Sequence, residues 1–241
     1  MNELLLNRIQ IMWDRVDEDS YLKDIPAIQQ LDTLEFHKPI TIFVGENGTG
    51  KSTLLEGIAI AYGFNPEGGT RNYNFSTYDS HSELHKALRL SRGYRPVKWG
   101  YFLRAESLYN VATMDEAYAQ IGHMPSNAYH MKSHGEAFLA IAQDNFQGDS
   151  IYLLDEPEAA LSPQRQLTLL AEIMRCCNDG SQFIIASHSP ILLGLPNAEI
   201  LSFDDGHIHP VTYEETSSYQ VVDLFLRKRA VILEELMRDM N

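Results

Sequence analysis

The sequence predicts an α/β fold: three layers, with a mainly parallel sheet covered by helices on both faces and an antiparallel β edge. Two observations carry this. Short, mostly apolar runs recur at 40–44, 150–154 and 182–186. A run without polar alternation reads as a strand buried on both faces. Segments of helical character follow at 52–62 and 163–177, and strands alternating with helices build parallel sheets.

The remaining elements follow in order. Residues 4–13 read as a strand and 31–36 as a second one. Ile40-Thr41-Ile42-Phe43-Val44 is rich in β-branched residues and stops at Gly45, as a buried strand does. Residues 63–96 are rich in Gly, Asn, Ser, Tyr and Pro and read as an insertion or lobe edge, with one helical piece near 81–92. Val97 to Leu103 reads as a strand, and 113–122 and 133–146 as helices. Residues 199–203 and 207–212 form a strand pair around Asp205-Gly206. In 219–240, Val222, Phe225, Leu226, Ile232, Leu233, Leu236 and Met240 recur at roughly helical spacing. Packing on the core is the expected fate of that helix; docking to a partner or a second copy is the alternative. No repeat or low-complexity tract divides the chain, so residues 1–241 read as one domain, with a small helical lobe at about 104–148.

Composition narrows the class. A chain of 241 residues with 44% hydrophobic content buries a sizeable core. No stretch approaches the ~18 consecutive apolar residues of a membrane span, so no membrane insertion is expected. The N-terminus has no basic start followed by a long apolar core, and does not read as a signal peptide. Cys176 and Cys177 are adjacent and cannot staple distant segments without strain. A cytoplasmic setting is the expectation. With 19 basic against 33 acidic residues, the net charge of −14 argues against a surface built to neutralise phosphates throughout. Local basic clusters remain at Arg89, Arg92, Arg95 and Lys98, and at Arg227, Lys228 and Arg229. Either is read more simply as a solvated face.

Three motifs carry chemistry. Gly45-Glu46-Asn47-Gly48-Thr49-Gly50-Lys51-Ser52 matches G-x-x-x-x-G-K-[ST] between a strand and a helix. A triphosphate needs many N–H donors at close range. Glycines let the backbone wrap it, and the following helix adds its positive end. Lys51 is the candidate bridge between the β- and γ-phosphates and Ser52 a Mg²⁺ ligand; Thr53 follows as the last candidate contact to ATP. From average residue frequencies, a chance match is on the order of 1%, so a mere glycine-rich turn is set aside. Next, Ile151-Tyr152-Leu153-Leu154-Asp155-Glu156 is an apolar strand ending in two carboxylates. Open α/β sheets place ligands at the carboxyl ends of their strands. Asp155 is the candidate metal residue and Glu156 the catalytic residue that orients or deprotonates the attacking water. Finally, Phe183 to Ala186 is a buried strand leading into Ser187-His188, where His188 is placed to contact the γ-phosphate.

Together these pieces resemble the ABC ATPase superfamily from about Ile40 to about Phe203, with Walker A at Gly45–Ser52 and Walker B at Ile151–Glu156. The resemblance implies a P-loop NTPase fold of the ABC head type, ATP and Mg²⁺ as cofactors, Glu156 as catalytic glutamate and His188 as switch histidine. Ala160-Leu161-Ser162 takes the place of the D-loop. Ser133-His134-Gly135-Glu136 stands where the signature motif belongs, about 22 residues before Asp155. Its Ser133 and Gly135 are the pair that would meet the γ-phosphate held by an opposite subunit, which implies an ATP-dependent homodimer. The same four residues are also an ordinary capping box. Arg104 or Glu106 falls near the Q-loop position in place of glutamine, and Tyr21 is a weak candidate for stacking on adenine. The altered signature, D-loop and Q-loop, with Asp-Glu-Pro-Glu after Walker B, resemble the non-transporter branch that includes RecF and SMC-type proteins. The span between Lys51 and Ser133 is too short, and lacks the heptads, for a coiled-coil tether. DNA or a partner protein is therefore the expected effector. A transporter's nucleotide-binding subunit and a non-hydrolysing ATP switch are the competing readings.

Overall fold

The computed structural model describes residues 4–70, 83–104 and 133–239. The expected helix at 113–122, Glu106 and Met240 lie outside them. A seven-stranded sheet runs through the molecule. Its strands are β3 (Ile40–Val44), β4 (Gly69–Thr70), β6 (Trp99–Arg104), β7 (Ser150–Asp155), β8 (Gln182–Ala186), β9 (Ala198–Ser202) and β10 (His209–Val211). Their order is β10-β9-β3-β8-β7-β6-β4. The five central strands are parallel, and β10 and β4 close the two edges antiparallel. This is the mainly parallel sheet with an antiparallel edge that the sequence predicts.

Alternate residues of the central strands enter opposite cores. Ile42, Leu103, Tyr152, Leu154 and Ile185 face one side, where α4 (His134–Asn145) and α5 (Pro163–Asn178) supply Phe138, Ile141, Leu169 and Ile173. Phe43, Phe102, Ile151, Leu153 and Ile184 face the other, against Leu54, Leu55 and Ile58 of α2 (Lys51–Tyr62). A side-chain period of two, with both sets apolar, leaves the strands nowhere but the middle layer.

A second sheet of three antiparallel strands covers the α2 side, in the order β2-β1-β5. It contains β1 (Leu6–Ile11), β2 (Thr33–Glu35) and β5 (Leu88–Arg92). Here the structure corrects the helix expected near 81–92. Only α3 (Leu84–Ala87) is helical, and the chain becomes extended at Leu88 (φ −81°, ψ 129°). The free edge of β1 takes up the backbone of Leu88 to Arg92, while Leu88 and Leu90 pack onto the core. A tertiary strand partner overrides a marginal helical preference. The basic cluster in this region is largely committed within the chain. The Arg92 guanidinium lies 4.3 Å from the centre of the Tyr62 ring, and Arg95 and Lys98 both pair with Asp149.

The two sheets are joined by one buried side chain. Gln182 Oε1 accepts the N–H groups of Leu5 (2.9 Å) and Leu6 (2.8 Å), and its Nε2 donates to Leu6 O at 2.9 Å. Burial raises the Cys176 thiol pKa to about 11 and that of Cys177 to about 12, so both stay protonated at neutral pH. Replacing Gln182 by Leu strands three buried backbone groups. Stability is expected to fall by about 3 kcal/mol, which urea unfolding measures; a loss under 1 kcal/mol contradicts the joining role.

Candidate nucleotide site

The site forms where β3, β7 and β8 end. After β3 the chain turns at Gly45 and wraps as a loop to Gly50, where α2 begins. Gly50 has φ +101°, and a Cβ there would lie 2.8 Å from Ile25 Cγ2. No other residue fits the turn and the packing beneath it. Thr49 Oγ1 donates to Glu46 O at 2.9 Å, and the Glu46 N–H donates to Asp204 Oδ1 at 2.9 Å. Lys51 is buried and folded back over the turn, donating to Gly45 O and Glu46 O at 2.7 Å each. Burial lowers its pKa. The carboxylates of Glu156, Asp204, Asp155 and Glu158 oppose that shift.

Ser52 Oγ donates to Asp155 Oδ1 at 2.8 Å. Two oxygen donors held side by side, below a phosphate loop, fit a small hard cation that takes its remaining ligands from phosphate and water. They do not amount to a protein-only cage: no group of three or more His, Cys, Asp or Glu able to hold a metal exists among the described residues. Arg104, the last residue of β6, sits directly across from Asp155 in register. Its Nε lies 3.5 Å from Asp155 Oδ2, and Nη1 lies 3.0 Å from Glu56 Oε2. Arg104, at the expected Q-loop position, thus brings a cation beside Asp155.

Glu156 leaves β7 in the left-handed region (φ 46°, ψ 51°), which costs on the order of 1 kcal/mol for a residue with a side chain. Two hydrogen bonds hold the turn to the end of β8. Glu156 N–H donates to Ala186 O at 2.9 Å, and His188 N–H to Glu158 Oε1 at 2.5 Å. The result is that Glu156 and His188 face each other, with Oε1 and Nε2 3.8 Å apart. An open cavity of about 490 Å³ is lined by Gly45, Glu46, Asn47, Glu156 and His188 together with Ser217, Val221 and Val222 of the last helix.

Ser133 and Gly135 are not among the residues lining it. Ser133 caps α4, and both its N–H (2.9 Å) and its Oγ (2.7 Å) donate to Glu136 Oε2; the other carboxylate oxygen pairs with Arg165 at 2.9 Å. A Cβ on Gly135 would lie 2.7 Å from Ala160 O. The segment expected to act as a signature is therefore packed on Ala160 and Arg165 of its own chain. Ser162 caps α5 by accepting the Arg165 N–H. Tyr21 is half exposed in the turn Tyr21–Asp24 and does not line the cavity.

Sequence reasoning passed over Asp204 and Glu158. Asp204 directly follows the end of β9 and Phe203, so the rule that strand ends carry function could have found it. Glu158 had no such signal, because only the fold brings it under His188.

The sheet is mainly parallel, a glycine-rich loop joins β3 to α2, and Asp155, Glu156 and His188 stand at the ends of the neighbouring strands. Comparison with known proteins adds two AAA-domain family models. One matches residues 21–103; the other, labelled for an AbiEii toxin of a Type IV TA system, matches residues 136–194. No curated protein matches the sequence. Among solved structures, the SMC head domain from Thermotoga maritima is 12% identical (TM-score 0.46), covering 87% of this chain and 99% of its own. CbiO1 from Clostridium perfringens, part of the ABC transporter complex CbiONQ, is 16% identical (TM-score 0.46), with coverage of 86% and 91%. An ATP-binding cassette of an ABC transporter is 15% identical (TM-score 0.47), with coverage of 96% and 99%.

Asp204→Ala removes the acceptor that holds the Glu46 amide. Affinity for Mg-ATP is expected to drop about tenfold, since one charge-assisted hydrogen bond shapes the loop. Calorimetric titration checks this, and unchanged affinity contradicts the role given to Asp204.

Proposed function

We propose that this chain binds Mg-ATP in the Gly45–Thr53 cradle and hydrolyses it between two copies facing head to tail. The observation that carries this reading is the convergence of the P-loop, Glu156 and His188 on one open cavity, with Ser133 and Gly135 left outside it. A site whose own signature residues stand elsewhere calls for a second copy to supply them.

In this reading Lys51 exchanges the Gly45 and Glu46 carbonyls for the β- and γ-phosphates, and loop N–H groups cradle the chain of phosphates. Ser52 and Asp155 hold Mg²⁺, which supplies charge neutralisation on the phosphate oxygens. Arg104 balances Asp155 and Glu56 from behind. Glu156, turned into the cavity by its left-handed backbone, accepts the proton of the attacking water. His188 contacts the γ-phosphate and registers its loss. Ser133 and Gly135 of the opposite copy close the site, so hydrolysis loosens the pair. The output is a conformational switch directed at a partner protein or at DNA. Among the described residues no helix is long and apolar enough to cross a membrane.

Two measurements test the reading. Glu156→Gln, which keeps the contacts but not the base, is expected to be monomeric alone and dimeric with Mg-ATP, by gel filtration with light scattering. A monomer under both conditions, with ATP demonstrably bound, sinks the shared site. Ser133→Arg is expected to bind ATP normally, yet neither dimerise nor turn over. Full ATPase activity in that variant removes Ser133 from the site. Stimulation of turnover by DNA, falling steeply with salt, separates the DNA-directed switch from the protein-directed one.

A further inference from the structure

The segment Asp155-Glu156-Pro157-Glu158 holds two glutamates, and so far only the first has a place in the reaction. Glu156 lines the cavity and Glu158 does not. The turn explains the difference. Glu156 takes the left-handed region, and Pro157 opens a single helical turn (Pro157–Ala160) that Ala159 N–H closes on Glu156 O at 3.0 Å. Proline suits that first position, where its fixed φ is already helical and no N–H is needed. The chain thereby doubles back. The second carboxylate comes in beneath the end of β8, where its Oε1 accepts the His188 N–H at 2.5 Å.

That contact is the one hydrogen bond His188 makes among the described residues. Its ring is not fixed by another: Nε2 has no hydrogen-bond partner there, and Glu156 Oε1, 3.8 Å away, is beyond hydrogen-bond reach. The last helix (Ser217–Asp239) borders the same cavity with Ser217, Val221 and Val222, but none of them bonds to His188, and its Leu224, Leu226 and Leu236 stay exposed instead of packing on the core. The residues on either side of His188 are tied elsewhere. Ser187 N–H donates to Phe43 O at 3.1 Å. Ser189 Oγ donates to the buried Gln166 of α5, whose Nε2 donates to Leu161 O at 3.1 Å. With Ser187 and Ser189 held, the freedom left is the orientation of the His188 amide and of the ring that follows it. Glu158 removes that freedom. Its charge matters less at the site: of the four carboxylates that act on Lys51, it acts least.

We propose that Glu158 is a positioning residue for ATP hydrolysis, holding the His188 amide so that the imidazole faces both Glu156 and the γ-phosphate, without itself touching the nucleotide. This deepens the reading of His188 given above and rests on it. Glu156 and His188 leave different strands, and two links from one turn set them against each other: Glu156 N–H to Ala186 O, and Glu158 Oε1 to His188 N–H. What the second link requires is an acceptor oxygen at the length of a glutamate side chain.

The test is steady-state turnover of Mg-ATP by the full chain carrying Glu158→Gln, Glu158→Asp, His188→Ala, or Glu158→Asp together with His188→Ala. Glutamine keeps the length and the acceptor without the charge; aspartate keeps the charge and falls short. Glu158→Asp is expected to lose about a hundredfold in kcat, the order of cost of misplacing a group at the site by about 1 Å, with KM changed by about twofold or less. Glu158→Gln is expected to stay within about threefold of the native kcat. The double variant is expected to be no slower than His188→Ala, since Glu158 acts only through His188. An ATP-induced rise in Tm in each variant shows a folded, nucleotide-binding protein. A Glu158→Asp enzyme as fast as Glu158→Gln or faster, or a double variant slower than His188→Ala alone, overturns the positioning role and leaves the nucleotide site standing. Native turnover in His188→Ala, or no turnover in the native chain, overturns the underlying reading as well.

Discussion

The register of three parallel strands makes the site. Phe43 of β3 lies beside Ala186 of β8, and Ala186 lies beside Asp155 of β7. The strands therefore run out at one level, and the phosphate loop, the acidic pair and the histidine all leave the sheet within reach of each other. Backbone bonds extend this alignment past the strands, from Glu156 N–H to Ala186 O and from Ser187 N–H to Phe43 O. A slip by one residue would send every alternate side chain to the wrong core. Burial on both faces therefore fixes the register as firmly as it fixes the layers.

Electrostatics at the strand ends follow from that alignment. Asp155, Glu156, Glu158 and Asp204 gather around one buried lysine, whose desolvation works against its charge. Arg104 stands on the next strand and answers Asp155 and Glu56. Carboxylates thus outnumber cations at these strand ends. Lys51 is satisfied by two carbonyls of its own loop, and Ser52 is satisfied by Asp155. No polar group of this pair is left without a partner.

Much of this was legible in the chain itself. A phosphate loop is a local object: its glycines, lysine and serine are consecutive, and the strand and helix on either side declare themselves by composition. The same holds for the strands at 150–155 and 182–186, which are apolar on both faces because the sheet is covered on both faces. The segment 88–92 was misread because its preference was weak and its fate was set by the open edge of β1, far away in sequence. The final helix was misread for a different reason. Periodicity reports that an apolar face exists, and says nothing about whether that face meets its own core or another molecule.

The sequence by itself determined the fold class, the phosphate loop and the identity of the acidic pair, because each depends on residues that are neighbours along the chain. Tertiary structure alone decided that Asp204 braces the loop, that Arg104 faces Asp155, that Glu158 lies beneath His188, that Gln182 ties the two sheets and that the last helix begins at the cavity with exposed apolar side chains. These are contacts between segments far apart in sequence. No local pattern encodes which of many compatible side chains will meet; only the closed packing of the whole chain selects them.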